Sequence, residues 1–124
     1  MTLNPTNENI TATTDQTLTV AQLLAGVITR TGPSGGFIDT LPSTAAIWAA
    51  LQAPTPLIVK YINASGQTAT IQAGDASTTI AFGSGMLGAT TIATHQECEI
   101  LLTPTGNVQN PGLTATLLTR HTLV

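Results

Sequence analysis

Apolar positions fall into two regimes along this chain, helical spacing before about residue 56 and short alternating or β-branched blocks after it. Thr17 to Val20 open as a short strand that runs into a helix signal. Thr19 and Gln22 stand at capping-box spacing, Val20, Leu23, Leu24 and Val27 supply an apolar stripe, and Gly26 offers a stop. A second helix is predicted from Leu41 to Gln52. Pro42 suits a first helical position, Thr40 or Asp39 can cap, the Ala-rich run favours helix, and Pro54 and Pro56 end it. Beyond it the pattern predicts strands over Leu57 to Ile62, Gln67 to Gln72, Thr78 to Phe82, Thr90 to Ala93, Glu97 to Thr103 and Leu113 to Val124. Turn residues separate them, Asn63 to Gly66 and Pro104 to Asn107 among them. Residues 1–15 are polar, contain Pro5 and lack periodicity. The expectation is therefore a mainly β chain: one antiparallel β-sandwich or jelly-roll-like domain over residues 16–124, with one or two short helices and an extended N-terminal arm over residues 1–15.

Composition changes this picture in one respect. The hydrophobic fraction of 42% is ordinary, but charged residues make up only 7%, against about a quarter in typical domains. Threonine supplies about a fifth of the chain, so the polar surface is largely hydroxyl. Burying Thr against a neighbour costs far less desolvation than burying Lys or Glu, so such a surface suits a protein covered by other subunits. A net charge of −3 with three basic residues, Arg30, Lys60 and Arg120, argues against nucleic acid as a partner. Cys98 is the sole cysteine and forms no internal disulfide. The N-terminal residues lack a basic and an apolar signal region, and no apolar stretch approaches the ~18 residues of a span. A soluble chain made in the cytoplasm, without membrane contact, is expected.

Candidate chemistry is sparse. Gly32-Pro33-Ser34-Gly35-Gly36 matches the nucleophile-elbow pattern, but that chemistry needs a sharp strand-to-helix turn on a large parallel sheet. Gly83-Ser84-Gly85-Met86-Leu87-Gly88 matches a dinucleotide fingerprint, yet a β-like segment follows where a phosphate site needs a helix N-terminus. Both read as Gly-rich loops. In a strand, His95, Glu97 and Glu99 would share one face; a two-residue step does not give one ion tetrahedral geometry, although a symmetry axis can gather copies. Cys98 would face the core. Asn9 and Asn63 open glycosylation sequons, expected to be unused without a signal peptide. Trp48, beside Ile47 and Leu51, reads as core ahead of a ligand-stacking aromatic, and His121 as a partly exposed strand residue. No catalytic residue, metal or cofactor is expected.

The runs Leu18 to Arg30 (LTVAQLLAGVITR), Asp39 to Ile47 (DTLPSTAAI) and Tyr61 to Ile71 (YINASGQTATI) resemble tailed-phage virion proteins, in particular capsid decoration, or cement, proteins. The likeness covers residues 17 to 82 and consists of packing and turn motifs, so it brings no active-site residue. It implies a β-sandwich homotrimer on the capsid exterior of a virion, clamping adjacent major capsid protein subunits, and made in the host cytoplasm.

Three functions follow for comparison: such a decoration protein, a tail-fibre or spike head domain that binds a host receptor or glycan, and a small hydrolase using Ser34 with His95 or His121. The paucity of aromatics counts against the second. The third has no supporting nucleophile–base geometry. Partner-binding residues are expected in the arm and in the Gly32 to Phe37 loop, where exposed segments carry binding: Asn4, Pro5, Asn7, Asp15, Pro33, Ser34 and Phe37.

Overall fold

A computed structural model describes residues 5–51, 55–82 and 90–122. Within them the order is β1 (Thr6–Ile10), β2 (Gln16–Thr17), α1 (Val20–Ala25), β3 (Gly26–Arg30), β4 (Phe37–Thr40), α2 (Thr44–Leu51), β5 (Leu57–Asn63), β6 (Ala69–Gln72), β7 (Thr78–Phe82), β8 (Thr91–Ile92), β9 (Gln96–Gly106) and β10 (Pro111–Thr122). One sheet has the order β1-β3-β5-β9-β10-β7, the other β2-β4-β6-β8. The mainly β class with two short helices is as expected.

The pairing is mixed where antiparallel pairing was expected. The first six strands go alternately to the two sheets, so each returns to its own sheet after a full circuit and runs the same way as before. Hence β1, β3 and β5 are parallel, as are β2, β4 and β6. Antiparallel pairing enters with β9, which pairs with β5 and, across a tight turn, with β10; β8 likewise runs antiparallel to β6. Strand β7 then closes the large sheet parallel to β10.

Capping chemistry marks the start of both helices. Thr19 Oγ1 accepts from the Gln22 amide at 3.1 Å and Gln22 Oε1 from the Thr19 amide at 2.8 Å, completing the expected box. Gly26 ends α1 in the left-handed region, φ 97°, and starts β3 in the same step, so Val27 lies in a strand and not on the helical stripe. Helix α2 begins at Thr44, three residues later than predicted. Leu41 precedes a proline, which disfavours helical geometry there, and its amide instead bonds Gln72 O at 2.9 Å. Asp39 and Thr40 belong to β4; Ser43 Oγ accepts from the Ala46 amide at 3.2 Å and takes over the cap. The expected helix end at Gln52 and Pro54, and the end of the last strand at Leu123 and Val124, lie outside the described residues.

The core lies between the sheets. Leu57, Val59 and Tyr61 of β5 point inward with Cys98, Ile100 and Leu102 of β9, Leu113, Ala115 and Leu117 of β10, and Ile28 of β3. Phe37, Ala69, Ile71 and Ile92 face them from the small sheet, and Leu18, Leu23, Leu41 and Ile47 close the ends. Among the described residues, no helix is long and apolar enough to cross a membrane.

Candidate functional site

The polar residues in this interior form two knots. In the first, Arg30 of β3 and Asp39 of β4, both fully buried, face each other across the two sheets. Arg30 Nε donates to Asp39 Oδ2 at 2.8 Å, and the Tyr61 hydroxyl donates to the same oxygen at 2.5 Å. The guanidinium spends its other hydrogens on backbone: Nη1 to Ile10 O at 3.3 Å and Ala12 O at 2.9 Å, Nη2 to Thr14 O at 2.9 Å. Its carbon lies 4.7 Å from the centre of the Phe37 ring. Asp39 Oδ1 is buried without a hydrogen-bond partner. Burial, reinforced by the Asp39 charge, pushes the Tyr61 phenol well above its ordinary value of 10.0, so it stays protonated and donates. This is a clamp between the sheets and the segment Ile10 to Thr14, sealed from any substrate.

The second knot is built on Asn63, which is also fully buried. Its amide nitrogen donates to Gln67 O at 2.7 Å, Ile92 O at 2.9 Å and Ala93 O at 3.2 Å, while Oδ1 accepts from the Ser65 amide and hydroxyl. Thr94 Oγ1 donates to Ser65 O. The sequon at Asn63 is thus consumed by a turn, and its nitrogen is inaccessible.

The expected contact residues of the arm and of the Gly32 to Phe37 loop come together. Residues 6–10 do not stand free: they form edge strand β1 against β3, with Thr29 Oγ1 donating to Asn7 Oδ1 at 2.7 Å and Thr31 Oγ1 to Asn9 Oδ1 at 3.2 Å. The Thr31 amide bonds Ile10 O at 3.1 Å, and Gly32, φ 111°, lies so close to the Thr11 carbonyl that no Cβ fits. Asp15 Oδ1 accepts from the Ile38 amide at 2.9 Å. Pro5, Asn7, Asp15 and Ser34 are exposed, whereas Pro33 and Phe37, expected in an exposed loop, are buried within the chain. Asn4 and the Gly83 to Gly88 loop lie outside the described residues.

His95 does not join Glu97 and Glu99 on a strand face. It sits in the turn before β9 with φ 57°, its amide bonded to Asn63 O at 2.8 Å. Among the described residues, no three of His, Cys, Asp and Glu converge as metal ligands. Glu97 instead lies 4.0 Å from Lys60 Nζ on the outer face of the large sheet.

Two surfaces stand out, and sequence reasoning missed both. On that outer face a groove of about 490 Å³ is lined by Pro5, Val27, Ile58, Lys60, Glu99 and Leu101, with Ile58 52% exposed. Ile58 pairs with Leu101 and Lys60 with Glu99 across β5 and β9. The signal was the apolar outward position in β5, visible as an unbroken Leu57-Ile58-Val59. A second groove, of about 380 Å³, is lined by Ala45, Trp48, Ala49, Val108 and Pro111. Trp48 is half-exposed there, not core as expected, and its indole nitrogen donates to Gly112 O at 2.6 Å. Compared with protein families, curated proteins and solved structures, the chain matches none.

Proposed function

We propose that this chain is a virion structural protein, a capsid decoration or cement protein that binds the outside of the shell as a homo-oligomer, a trimer, and stabilises contacts between major capsid protein subunits. The observation that carries this reading is the outer face of the six-stranded sheet. A solvated face alternates apolar-in with charged-out, whereas here Val27, Ile58, Ile62 and Leu101 interleave with Thr29, Thr103, Thr114 and Thr116. Lys60, Glu97 and Glu99 are the charges on its β5 and β9 strands. Such a face is inexpensive to desolvate and suits a broad, flat contact. The resemblance noted in the Leu18 to Ile71 region supplies the partner.

Two further features support it. Burial of Arg30 leaves Lys60 and Arg120 as the cations that approach the surface, too few for phosphate recognition. The one buried carboxylate–phenol pair is sealed inside a clamp. Co-sedimentation with shells assembled from major capsid protein tests the proposal. Wild-type chain should pellet with shells, and Ile58→Glu, at an exposed position that leaves folding intact, should weaken binding about tenfold or more. Failure of the wild-type chain to pellet with shells would remove the reading.

A further inference from the structure

Strand β1 is fastened to the edge of the large sheet with little help from the core. Its one apolar side chain, Ile10, is half-buried, and the other four are polar, so the interior loses little when the strand lifts away. Hydrogen bonds hold it instead. On the outer side the Thr29 and Thr31 hydroxyls reach Asn7 and Asn9. From inside, Arg30 donates to the main-chain oxygens of Ile10, Ala12 and Thr14, and the Thr31 amide to Ile10 O.

The receiving side is assembled without this segment. Asp39 Oδ2 fixes the guanidinium through Nε at 2.8 Å, the Phe37 ring stacks on it, and Tyr61 fixes Asp39. These holders come from β4 and β5. Together with the β3 edge they make a socket for an extended segment that offers carbonyls at alternate positions. Left empty, it would strand the Nη1 and Nη2 hydrogens of a fully buried cation, so the socket demands an occupant. An arm held in this way can be traded for an identical one, but not simply released.

We infer that in the assembled protein this socket takes residues 6–14 of a neighbouring copy, so that each chain adds its β1 to the β3 edge and Arg30 of the next. A second copy presents the same asparagines and the same carbonyls, so exchange preserves every contact named above and turns bonds within a chain into bonds between chains. The turning point is Asp15. It is exposed, it follows the last carbonyl that Arg30 holds, and beyond it β2 belongs to the other sheet. Each copy gives one arm and receives one. Such head-to-tail donation makes a ring, and three copies close it. Tethered at its own subunit, each arm meets the next socket at high local concentration. The inference rests on the homotrimer reading for its premise that copies associate.

A chain carrying both Asn7→Cys and Thr29→Cys tests it. Asn7 is exposed and Thr29 half-buried on the outer face, while the native Cys98 is buried. The chain is treated with a short bis-maleimide at a concentration where the wild type sediments as a trimer, then separated under denaturing conditions. Linked products of two and three times the chain mass are expected, while wild type and each single variant stay at the mass of one chain. The single variants, mixed, unfolded and refolded together, read the same contact without the paired substitution, and a product holding one copy of each is expected. Products confined to the mass of one chain in both formats overturn the inference, as does a wild-type chain that sediments as a monomer. Shell binding is read separately on the wild-type chain. Links between chains without pelleting remove the capsid reading alone, and pelleting with links confined to one chain removes this inference alone.

Discussion

Replacing Arg30 by Met would leave the Asp39 carboxylate buried with the Tyr61 hydroxyl as its remaining donor, and would strip three backbone carbonyls of theirs. Breaking a buried pair from one side is far more damaging than removing it whole. Arg30→Met should therefore lower stability by about 3–5 kcal/mol in urea denaturation, and the triple change Arg30→Met, Asp39→Leu, Tyr61→Phe should recover much of that loss. Tyr61 adds a pH signature. The unfolded phenol releases its proton near 10.0 while the folded one holds it, so above that pH deprotonation favours the unfolded chain. Stability should fall as pH rises beyond 10, with the phenolate absorbance of this sole tyrosine appearing only as the chain unfolds. Little of this was visible in the sequence, where Arg30 counts only as one of three basic residues. A buried ion pair leaves no periodic trace; only the flanking inward positions, Ile28 and Phe37, hinted that Arg30 and Asp39 share their face.

The start of α2 depends on a side chain from another element. Asp75, between β6 and β7, accepts from the Thr44 hydroxyl at 2.7 Å and from the Thr44 amide at 2.9 Å, while Thr44 Oγ1 also lies 2.6 Å from Thr78 Oγ1. The bonds from Thr44, its hydroxyl first, hold the Asp75 carboxyl below its ordinary value of 3.8. Its folded acidity is stronger than its unfolded one, so this contribution is present above 3.8 and is lost as pH falls below that. Asp75→Asn should lower the Tm at neutral pH, and its gap from wild type should close as the buffer is acidified into that range. Elements with local signals were legible: the Thr19 and Gln22 box, the Gly26 stop, and the existence of every strand from β5 onward, although β9 runs on through Gly106, across Pro104 to Gly106 where a turn was expected. Strands β3 and β4 were not. Val27 to Arg30 follows the helix without a turn, so Val27 was counted in the helical stripe and Ile28 to Arg30 were given no element, while Phe37 was placed in a loop and Asp39 and Thr40 were read as caps of the next helix.

At the scale of the molecule, composition and alternation announced a mainly β chain, but the sheet partners of its first half were hidden. Alternation shows which side of a strand is buried, not which sheet it joins, and the circuits here differ in length: Thr6 pairs with Gly26, whereas Val27 pairs with Lys60. The same irregularity disguised the N-terminal segment, whose polar residues make an edge strand held from inside by Arg30. Deleting residues 1–15 should therefore cost about 3 kcal/mol or more in thermal or urea unfolding, whereas a dangling tail would cost nothing.

Strand β5 occupies the centre of the large sheet, with β3 on one side and β9 on the other. During synthesis, β9 leaves the ribosome some 40 residues after it, and the tight β9–β10 hairpin is the quickest large piece of that sheet to close. Nucleation is therefore expected at the β9–β10 hairpin, with the parallel rungs closing afterwards toward Thr6 at the millisecond-to-second pace of non-local topologies; high φ-values for substitutions in β9 and β10 and low ones in β1 would be the sign of it.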